Sequence, residues 1–359
     1  MRVSTKTERI AMLKRMGVDS SKHYLHVHGV DAHERVVLVK TLRREEFLVW
    51  AANVPKCVIG FEACSSSHYW ARELSKLGHE VKVMAAEYVL PYRKSRKGKN
   101  DANDAEAICE AAGRPNMRFV TVKCEEQQSL LALHRLRSGL VDDRTALIGQ
   151  IRGLLAEFGI WIGQTPDKLE NWFSKQAEEL AQLPLLARTG IELARTHWKT
   201  LDQRIEELDK QIKQVAKKNE ATERLQKIVG VGMITASAIT ATIIDGRQFK
   251  NGREFAASIG LVPSQHSTGG KVKLGRITKR GDSYLRYLLV QGARSAFIAA
   301  RRRKPEKLTR LERWMLALNA RVGYYKTLVA IANKHARIIW AVLAKGEAFD
   351  PEYGESQPA

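Results

Sequence analysis

Short runs in which apolar and polar residues alternate dominate the first part of the chain. Residues 16–22 have the pattern of a short buried strand that delivers Asp19 just where the strand stops. Alternating runs at residues 23–30 and 35–40 follow, separated by the turn-like stretch 31–34, which is the pattern of a β-hairpin. The chain is therefore predicted to begin with three consecutive strands.

Helical and strand patterns then alternate. Residues 45–54 and 68–77 have the spacing of helices, whereas residues 56–62 and 78–84 read as strands, the first of them ending in the acid Glu62. A further helix opens at Asp101. The order β-β-β-α-β-α-β-α predicts an α/β domain over residues 10–124.

The pattern becomes helical from residue 125 to 222, with long amphipathic runs at 127–158 and 193–218. Apolar positions of the second run recur at three-to-four spacing: Leu201, Ile205, Leu208, Ile212 and Val215. This predicts a helical hairpin or coiled-coil arm, suited either to pairing protomers or to gripping a nucleic-acid duplex. Four aromatic residues of the segment are predicted to pack between helices rather than to stack on bases: Trp161, Trp172, Phe173 and Trp198.

Residues 223–346 are predicted to form a mainly helical C-terminal domain. Its first segment, 225–236, has the form of a helix-hairpin-helix, whose glycines let backbone amides approach a phosphate, or of a tight turn between packed helices. Apolar residues at helical spacing are predicted to form its core: Leu285, Leu288, Leu289, Leu328, Ile331 and Ile338. Residues 347–359 are expected to be a disordered tail.

The charge of the chain narrows its function. Among 359 residues, 60 Lys and Arg outnumber 39 Asp and Glu, for a formal net charge of +21. Such a surplus points to a polyanionic partner, most often nucleic acid. No apolar run is long enough to span a bilayer, and the N-terminus lacks a signal peptide, so no membrane partner and a cytoplasmic location are expected. The four cysteines are interpreted as reduced thiols: Cys57, Cys64, Cys109 and Cys124.

Two basic tracts are candidate nucleic-acid contacts. The first precedes the Asp101 helix and consists of Arg93, Lys94, Arg96, Lys97 and Lys99. It is interpreted as a phosphate-contacting loop, although such tracts are often only solvated charge. The second, Arg301, Arg302 and Arg303, lies in the basic helical region 282–345 and is predicted to face outward onto a DNA or RNA backbone.

Candidate metal ligands stand at the start of the last helix of the first domain. Asp101 and Asp104 are three residues apart and so share one helix face, where two carboxylates can hold a metal ion. Acids are also favoured in the first turn of any helix by the helix dipole and by capping. Taken alone, the pair leaves both interpretations open.

The element order together with four acids resembles the ribonuclease-H-like fold of RuvC-type nucleases. In that fold the first and fourth strands are neighbours, so Asp19, Glu62, Asp101 and Asp104 would converge at one end of the sheet. Crowded carboxylates repel one another unless a cation neutralises them, and oxygen ligands favour Mg²⁺ or Mn²⁺. Two such ions per site could clamp a phosphodiester during in-line displacement.

Nearly the whole chain is similar to insertion-sequence transposases of the one-hundred-and-ten and eleven-eleven families, which carry a DEDD tetrad and a separate C-terminal transposase domain. The matching motifs are Gly17-Val18-Asp19, Phe61-Glu62-Ala63, Lys99-Asn100-Asp101-Ala102-Asn103-Asp104-Ala105, the segment 225–236, and the block from Ser267-Thr268-Gly269-Gly270-Lys271 to Lys279-Arg280-Gly281-Asp282. The resemblance implies a transposase or recombinase that acts on donor and target DNA.

The resemblance also implies a serine nucleophile. It carries over to Ser267 when the downstream block is aligned without a gap, and to Thr268 when counting starts at Pro263; Ser267 is preferred because the downstream match is longer. Cations of the same block would stabilise the charge that develops on the phosphate: Lys271, Lys273, Arg276, Lys279 and Arg280. The resemblance further implies guidance by an element-encoded RNA, assembly as a dimer or tetramer, and a serine that acts with the carboxylates of another protomer.

Two other classes of protein remain compatible with these residues. A metal-dependent junction nuclease of the RuvC kind would use the acids but not Ser267, and would leave no protein-linked DNA. A non-catalytic nucleic-acid-binding protein with a degenerate nuclease fold would need neither, but the presence of all four acids argues against it. A transposase with only an acid triad would leave the C-terminal motif unexplained.

Overall fold

The computed structural model describes residues 10–94 and 101–352. Its chain divides into two compact units, with the boundary between Glu125 and Glu126. The first unit is built on a β-sheet and the second is mainly helical. The predicted combination of a mixed α/β N-terminal region with a helical C-terminal region is confirmed.

The first unit contains a six-stranded sheet with strand order β3-β2-β1-β4-β5-β6. Its elements are β1 Arg15–Ser20, β2 Tyr24–Val30, β3 Val36–Arg43, α1 Arg44–Ala52, β4 Val58–Glu62, α2 Ser67–Lys76, β5 Glu80–Met84, α3 Ala86–Val89, α4 Asp101–Ala112 and β6 Phe119–Val120. Strands β1, β2 and β3 are antiparallel, whereas β1, β4 and β5 are parallel. The predicted adjacency of the first and fourth strands is confirmed, and β6 adds a short edge strand that the sequence pattern did not indicate.

Strand β1 has different neighbours on its two faces. Met16 and Val18 are buried in the same hydrophobic core as Phe47 of α1 and Trp70 of α2. Gly17 points to the other side and is paired in register with Gly60 of β4. A side chain at either glycine would collide with helix α4, so the two glycines let this helix lie directly on the sheet.

The second unit begins with a helical arm. Its helices are α5 Glu125–Glu157, α6 Pro166–Lys175, α7 Ala177–Ala181 and α8 Leu185–Ala216. The two long helices are antiparallel, because Arg137 pairs with Asp209 and Arg144 lies 3.1 Å from Asp202. An apolar cluster joins α5 and α8 to the short helices between them. The predicted helical hairpin is confirmed.

The aromatic residues of the arm differ in their environments. Phe173 and Trp198 are buried and Trp172 packs against the same cluster, as predicted. Trp161 is 84% exposed, so the prediction of a core position is wrong for this residue. Val215 is exposed as well, and Ala216 takes the buried position at the end of the helix. Val215 lies in the last turn of α8 and Trp161 lies in the connection between α5 and α6, so helical spacing does not determine which way either side chain faces.

The C-terminal part of the second unit is a helical bundle with a small hairpin. Its elements are α9 Glu220–Gln226, α10 Met233–Thr242, α11 Gly252–Ser258, β7 Pro263–Gln265, β8 Leu274–Ile277, α12 Ser283–Arg302, α13 Arg310–Val322 and α14 Tyr324–Ala344. The predicted core positions are confirmed: five are buried and the sixth, Ile338, packs against them. Helix α14 is long and apolar enough to cross a membrane, but half of it is buried inside the protein, as in the core helix of a globular domain.

The turn between α9 and α10 is packed against helix α12. A side chain at Gly230 would lie 2.3 Å from the backbone oxygen of Gly292, and one at Gly292 would lie 2.1 Å from that of Gly230. Gly230 also has a φ of +88°, a conformation that favours glycine. This glycine therefore serves a tight turn between packed helices, whereas Gly232 at the start of α10 is not crowded.

The described part of the predicted tail, residues 347–352, contacts the bundle. Phe349 packs against the C-terminal core, and the Glu352 carboxylate accepts hydrogen bonds from the backbone amide of Arg310. Residues 353–359 lie outside the described residues.

We expect Gly17→Ala to destabilise the protein. The new methyl group would lie 2.2 Å from both the Ala105 oxygen and the Cys109 nitrogen, which are backbone atoms that cannot rotate away. Overpacking of this kind costs about 1–3 kcal/mol, and more where backbone must move. Urea unfolding would measure the loss. The control is Gly149→Ala in α5, which has open space and should gain about 0.5–1 kcal/mol; equal stability of the two variants would contradict the packing argument.

Candidate carboxylate site and serine hairpin

Three carboxylates meet at one end of the sheet in the first unit. Asp19 stands at the carboxyl end of β1, and Asp101 and Asp104 lie on the first turn of α4, which crosses over that strand. One carboxylate oxygen from each residue lies within 4.8 Å of the other two. Asp104 is buried and the other two are half-buried. Oxygen donors at this spacing and of this charge can share a divalent cation.

The fourth predicted acid, Glu62, is connected to this cluster through an arginine. It ends β4, directly beside the end of β1. Arg93 lies 3.3 Å from a Glu62 oxygen through Nη2 and 3.1 Å from an Asp104 oxygen through Nε. Glu62 is thus outside the three-carboxylate group, and the guanidinium neutralises part of the negative charge between Glu62 and Asp104.

Arg93 was predicted to contact phosphate, together with the rest of its tract. The structure pairs it with two acids, and it pairs the next residue, Lys94, with Glu106 of α4 at 2.6 Å. Both described members of the tract therefore compensate acids of this region. Arg96, Lys97 and Lys99 lie outside the described residues.

A histidine that the sequence interpretation missed belongs to the site. His26 of β2 is paired in register with Asp19, and its Nε2 lies 3.2 Å from an Asp101 oxygen. Its other ring nitrogen, Nδ1, lies 3.1 Å from the Thr41 hydroxyl, which fixes the ring orientation. The short turn between β1 and β2 fixes this register. From the sequence, pairing residues on the two sides of this turn places His26 opposite Asp19.

The environment of Asp19 favours its neutral form. Burial raises the pKa of this carboxyl, and the charges of Asp101, Asp104 and Glu62 raise it further, while His26 acts in the opposite direction. Like charges are thus held together by the fold at a cost in electrostatic energy. A bound cation would remove this cost, so the donor set and its electrostatics both fit a divalent metal.

The preferred serine lies on an exposed hairpin in the second unit. Strands β7 and β8 pair antiparallel, and Thr268 and Lys271 pair across the tip. Gly269 and Gly270 fill the two turn positions with φ of +54° and +76°, as a tight two-residue turn requires. The Ser267 hydroxyl is exposed and accepts a hydrogen bond of 2.8 Å from the Gln265 side-chain amide. The glycine-rich stretch is therefore an ordered hairpin rather than an irregular loop.

Cations surround this hairpin. All five predicted phosphate contacts are exposed to solvent: Lys271, Lys273, Arg276, Lys279 and Arg280. Arg286 of α12 fixes the base of the hairpin, because its Nη1 donates to the carbonyl oxygens of Ile259 and Arg280 at 3.0 and 2.7 Å. The hairpin thus combines a hydroxyl and a positive surface on a fixed base.

The second basic tract ends helix α12. Arg301, Arg302 and Arg303 are exposed, as predicted for a nucleic-acid contact. Arg303 also has a structural partner, since its Nη1 lies 3.0 Å from an oxygen of the buried Glu312. Arg301 and Arg302 are therefore the better candidates for contact with a phosphate backbone.

The chain is similar to known transposases over most of its length. Residues 16–160 match the profile of the DEDD-type transposase domain of IS110 elements, and residues 222–308 match that of the transposase IS116/IS110/IS902 family. The chain is 45% identical over 344 residues to a "probable family 20 transposase" of Pseudomonas aeruginosa, covering 94% of this chain and 99% of that protein.

Two further relatives are transposases of named insertion sequences. The chain is 39% identical over 334 residues to the transposase of IS1328 from Yersinia enterocolitica, covering 93% of this chain and 98% of that protein. It is 38% identical over 339 residues to the transposase of IS1111A from Coxiella burnetii, covering 94% and 91%. A DEDD-type domain suggests dependence on a divalent metal, which the three-carboxylate cluster fits.

We expect Asp19→Asn to stabilise the metal-free protein at neutral pH. Because the pKa of Asp19 is higher in the folded than in the unfolded chain, its ionisation costs stability above the folded pKa and nothing below the unfolded one. The gain should therefore shrink as the pH falls through this interval. Thermal unfolding in EDTA as a function of pH would measure it, with Glu45→Gln, an exposed acid of α1, as the control.

The same variant should respond less to metal. Added Mg²⁺ or Mn²⁺ should raise the unfolding temperature of the unsubstituted protein, because a ligand that binds only the folded state stabilises it. Asp19→Asn removes one ligand oxygen and so should lose most of this increase, whereas Glu45→Gln should keep it. An equal metal response in all three proteins would contradict a metal site at Asp19.

Proposed function

Because this chain belongs to the transposase IS116/IS110/IS902 family, we propose that it cuts and rejoins insertion-sequence and target DNA through a covalent serine–DNA intermediate. The observation that carries the proposal is the convergence of Asp19, Asp101 and Asp104 within 4.8 Å, in a chain that also presents an exposed serine among cations. The family itself implies DNA recombination, and the serine chemistry is the proposed part.

The carboxylates would hold the metal. Asp19, Asp101 and Asp104 supply converging oxygens, and Glu62 can join them once Arg93 releases it, so that one or two Mg²⁺ or Mn²⁺ ions would fit this donor set. When bound, such ions polarise a phosphodiester and neutralise the charge that develops in the transition state. Arg93 would then be available to contact the phosphate itself.

Ser267 would supply the nucleophile. As its Oγ attacks the scissile phosphorus, the hydroxyl proton passes to an acceptor, the bond from phosphorus to one sugar oxygen breaks, and that oxygen takes up a proton and leaves as a hydroxyl. The product is a phosphoserine diester and a free DNA end. Attack by a hydroxyl of the partner DNA strand restores the serine and reseals the backbone, so the phosphodiester energy is conserved. The exposed Lys271 and Arg276 lie on the same hairpin and support charge neutralisation there.

Guidance by an RNA and assembly of several copies of the protein are further parts of this proposal. We propose that an element-encoded RNA pairs with donor and target DNA, and that the protein acts as a dimer or tetramer. The net charge of +21 and the exposed Arg301 and Arg302 support binding of extensive nucleic acid. The two proposed catalytic groups lie in different units of the chain, so they can be supplied by different copies of it.

We expect covalent adducts between the protein and labelled donor DNA on a denaturing gel, in the presence of cognate RNA and Mg²⁺. Ser267→Ala should abolish the adduct because the attacking oxygen is gone, and Asp101→Ala should lower it by at least about 100-fold because the metal site is damaged. Thr268→Ala, the neighbouring hydroxyl on the same hairpin, should retain it. Cleavage without any adduct would instead favour a RuvC-like nuclease, and an adduct lost only in Thr268→Ala would move the nucleophile by one residue.

Mixed oligomers test whether the two groups act across copies. Ser267→Ala and Asp101→Ala proteins, inactive alone, should recover part of the adduct when mixed, because each provides the group that the other lacks. Mixtures of Ser267→Ala with a Ser267→Ala/Asp101→Ala protein form the control and should stay inactive. If only the control level is seen, the serine and the carboxylates must come from one copy.

A further inference from the structure

A cavity of about 920 Å³ lies in the second unit, beside the hairpin that carries Ser267. Its walls come from α13, α14, the base of the hairpin and the C-terminal segment after α14. Pro263 and Ile277, which are paired in register at the base of the hairpin, both line it. Cavities of this size accommodate drug-sized or cofactor-sized ligands.

The wall of this cavity combines an indole with an apolar surface. Trp314 is half-buried and lines the cavity together with the apolar residues Leu261, Val329 and Ile338. The ammonium group of Lys334 lies 4.3 Å from the centre of the Trp314 ring, a cation–π contact. Because the ammonium group lies over one face of the ring, a flat aromatic ligand would pack on the indole beside Lys334 or in its place, against the apolar side chains.

The cavity is lined by more cations than acids: Arg310, Lys326, Lys334, Arg337 and Lys345 against Glu347 and Asp350, with Glu347 lying 3.3 Å from Lys345. Lys326 and Arg337 line the cavity and are exposed, and neither forms an ion pair within residues 10–94 and 101–352. Burial lowers the pKa of Lys334, and the nearby charges of Arg337 and Arg310 lower it further. Cations that repel one another around a cavity favour an anionic ligand.

One anion of the chain is already bound at the edge of the cavity. The Glu352 carboxylate accepts hydrogen bonds of 3.1 and 3.2 Å from the backbone amide of Arg310, which starts α13, and lies 3.6 Å from Nη2 of Arg313. Ala348, Phe349 and Pro351 of the same segment line the cavity. Backbone amides at a helix N-terminus bind phosphate as readily as carboxylate.

We propose that this cavity binds one unpaired nucleotide of the nucleic acid, with its base against Trp314 and its phosphates near Lys326, Arg337 and the backbone amide of Arg310. A purely apolar ligand would not need the cations, and a small inorganic anion would not need the aromatic wall. A nucleotide requires both, and bases stack on aromatic side chains in single-strand sites. The C-terminal segment then acts as a competitor, with Glu352 in a position that a phosphate can take.

This proposal rests on the nucleic-acid partner of the proposed function but not on the metal or on Ser267. Binding can therefore be measured in EDTA. The probes are a single-stranded oligonucleotide with one 2-aminopurine, in DNA and in RNA form, and a duplex of the same sequence. Binding of the single strand should quench the 2-aminopurine fluorescence. Comparing the DNA probe with the RNA probe shows which of the two nucleic acids supplies the nucleotide.

We expect Trp314→Leu to weaken single-strand binding by roughly 5- to 100-fold and to remove the quenching, because the stacking surface is lost. The double variant Lys326→Gln/Arg337→Gln should weaken it as well, and neither should change duplex binding. There are two controls. Trp161→Leu removes an exposed indole from the arm, and the double variant Lys217→Gln/Lys218→Gln removes two exposed charges away from the cavity. Equal losses for single strand and duplex would overturn the proposal.

Glu352→Gln is expected to increase single-strand binding, an outcome that a misfolded variant would not produce. Removing the competing charge should strengthen single-strand binding by roughly twofold or more, whereas damage to the fold could only weaken it. Unchanged binding by Glu352→Gln and Trp314→Leu alike would refute the nucleotide site while leaving the proposed function intact. A protein that binds neither single strands nor duplex would fail the proposed function as well.

Discussion

The packing of helix α4 directly on the sheet is the contact on which the carboxylate site depends. Gly17 and Gly60 are register partners on adjacent parallel strands, and a methyl group on either would meet α4 at less than 3 Å. The side of the helix that meets them is rich in alanine, so backbone approaches backbone. This close approach places Asp101 and Asp104 above the end of β1 at Asp19. Asp19 and the distant pair formed by Asp101 and Asp104 thus converge because two residues have no side chain.

The electrostatics of the site follow from that geometry. Desolvation and neighbouring carboxylates both raise the pKa of Asp19. The folded chain therefore holds carboxylates that repel one another when they are ionised. Arg93, beside Asp104, and His26, beside Asp101, offset part of this repulsion. Neither residue cancels it. A divalent ion would have to compete with Arg93 for Asp104, which makes this arginine the side chain whose position should differ most between the metal-free and metal-bound protein.

The sequence pattern was sufficient where a residue's environment follows from local periodicity. Strand-end acids such as Asp19 and Glu62 and the core face of α12 follow from alternation and spacing, whereas the adjacency of β1 and β4 was implied by the resemblance to the ribonuclease-H-like fold. The pattern failed where a partner comes from a distant segment or from a chain end. The bridge made by Arg93 depends on how a loop returns to the sheet, and the exposure of Trp161 depends on where a helix ends. Neither leaves a periodic signal.

The carboxylates and the Ser267 hydroxyl are held in different structural settings, and this difference bears on how the serine could be activated. The carboxylates are fixed by a packed helix and sheet, whereas Ser267 projects from an exposed hairpin. Within residues 126–352 the only hydrogen-bond partner of its hydroxyl is the Gln265 amide, which donates to the serine oxygen and cannot accept a proton at neutral pH. The hydroxyl of the proposed nucleophile therefore has no proton acceptor bonded to it within these residues. In the proposed mechanism an acceptor would have to be brought to this hydroxyl, so the serine would become reactive only when nucleic acid and the remaining groups are assembled around it.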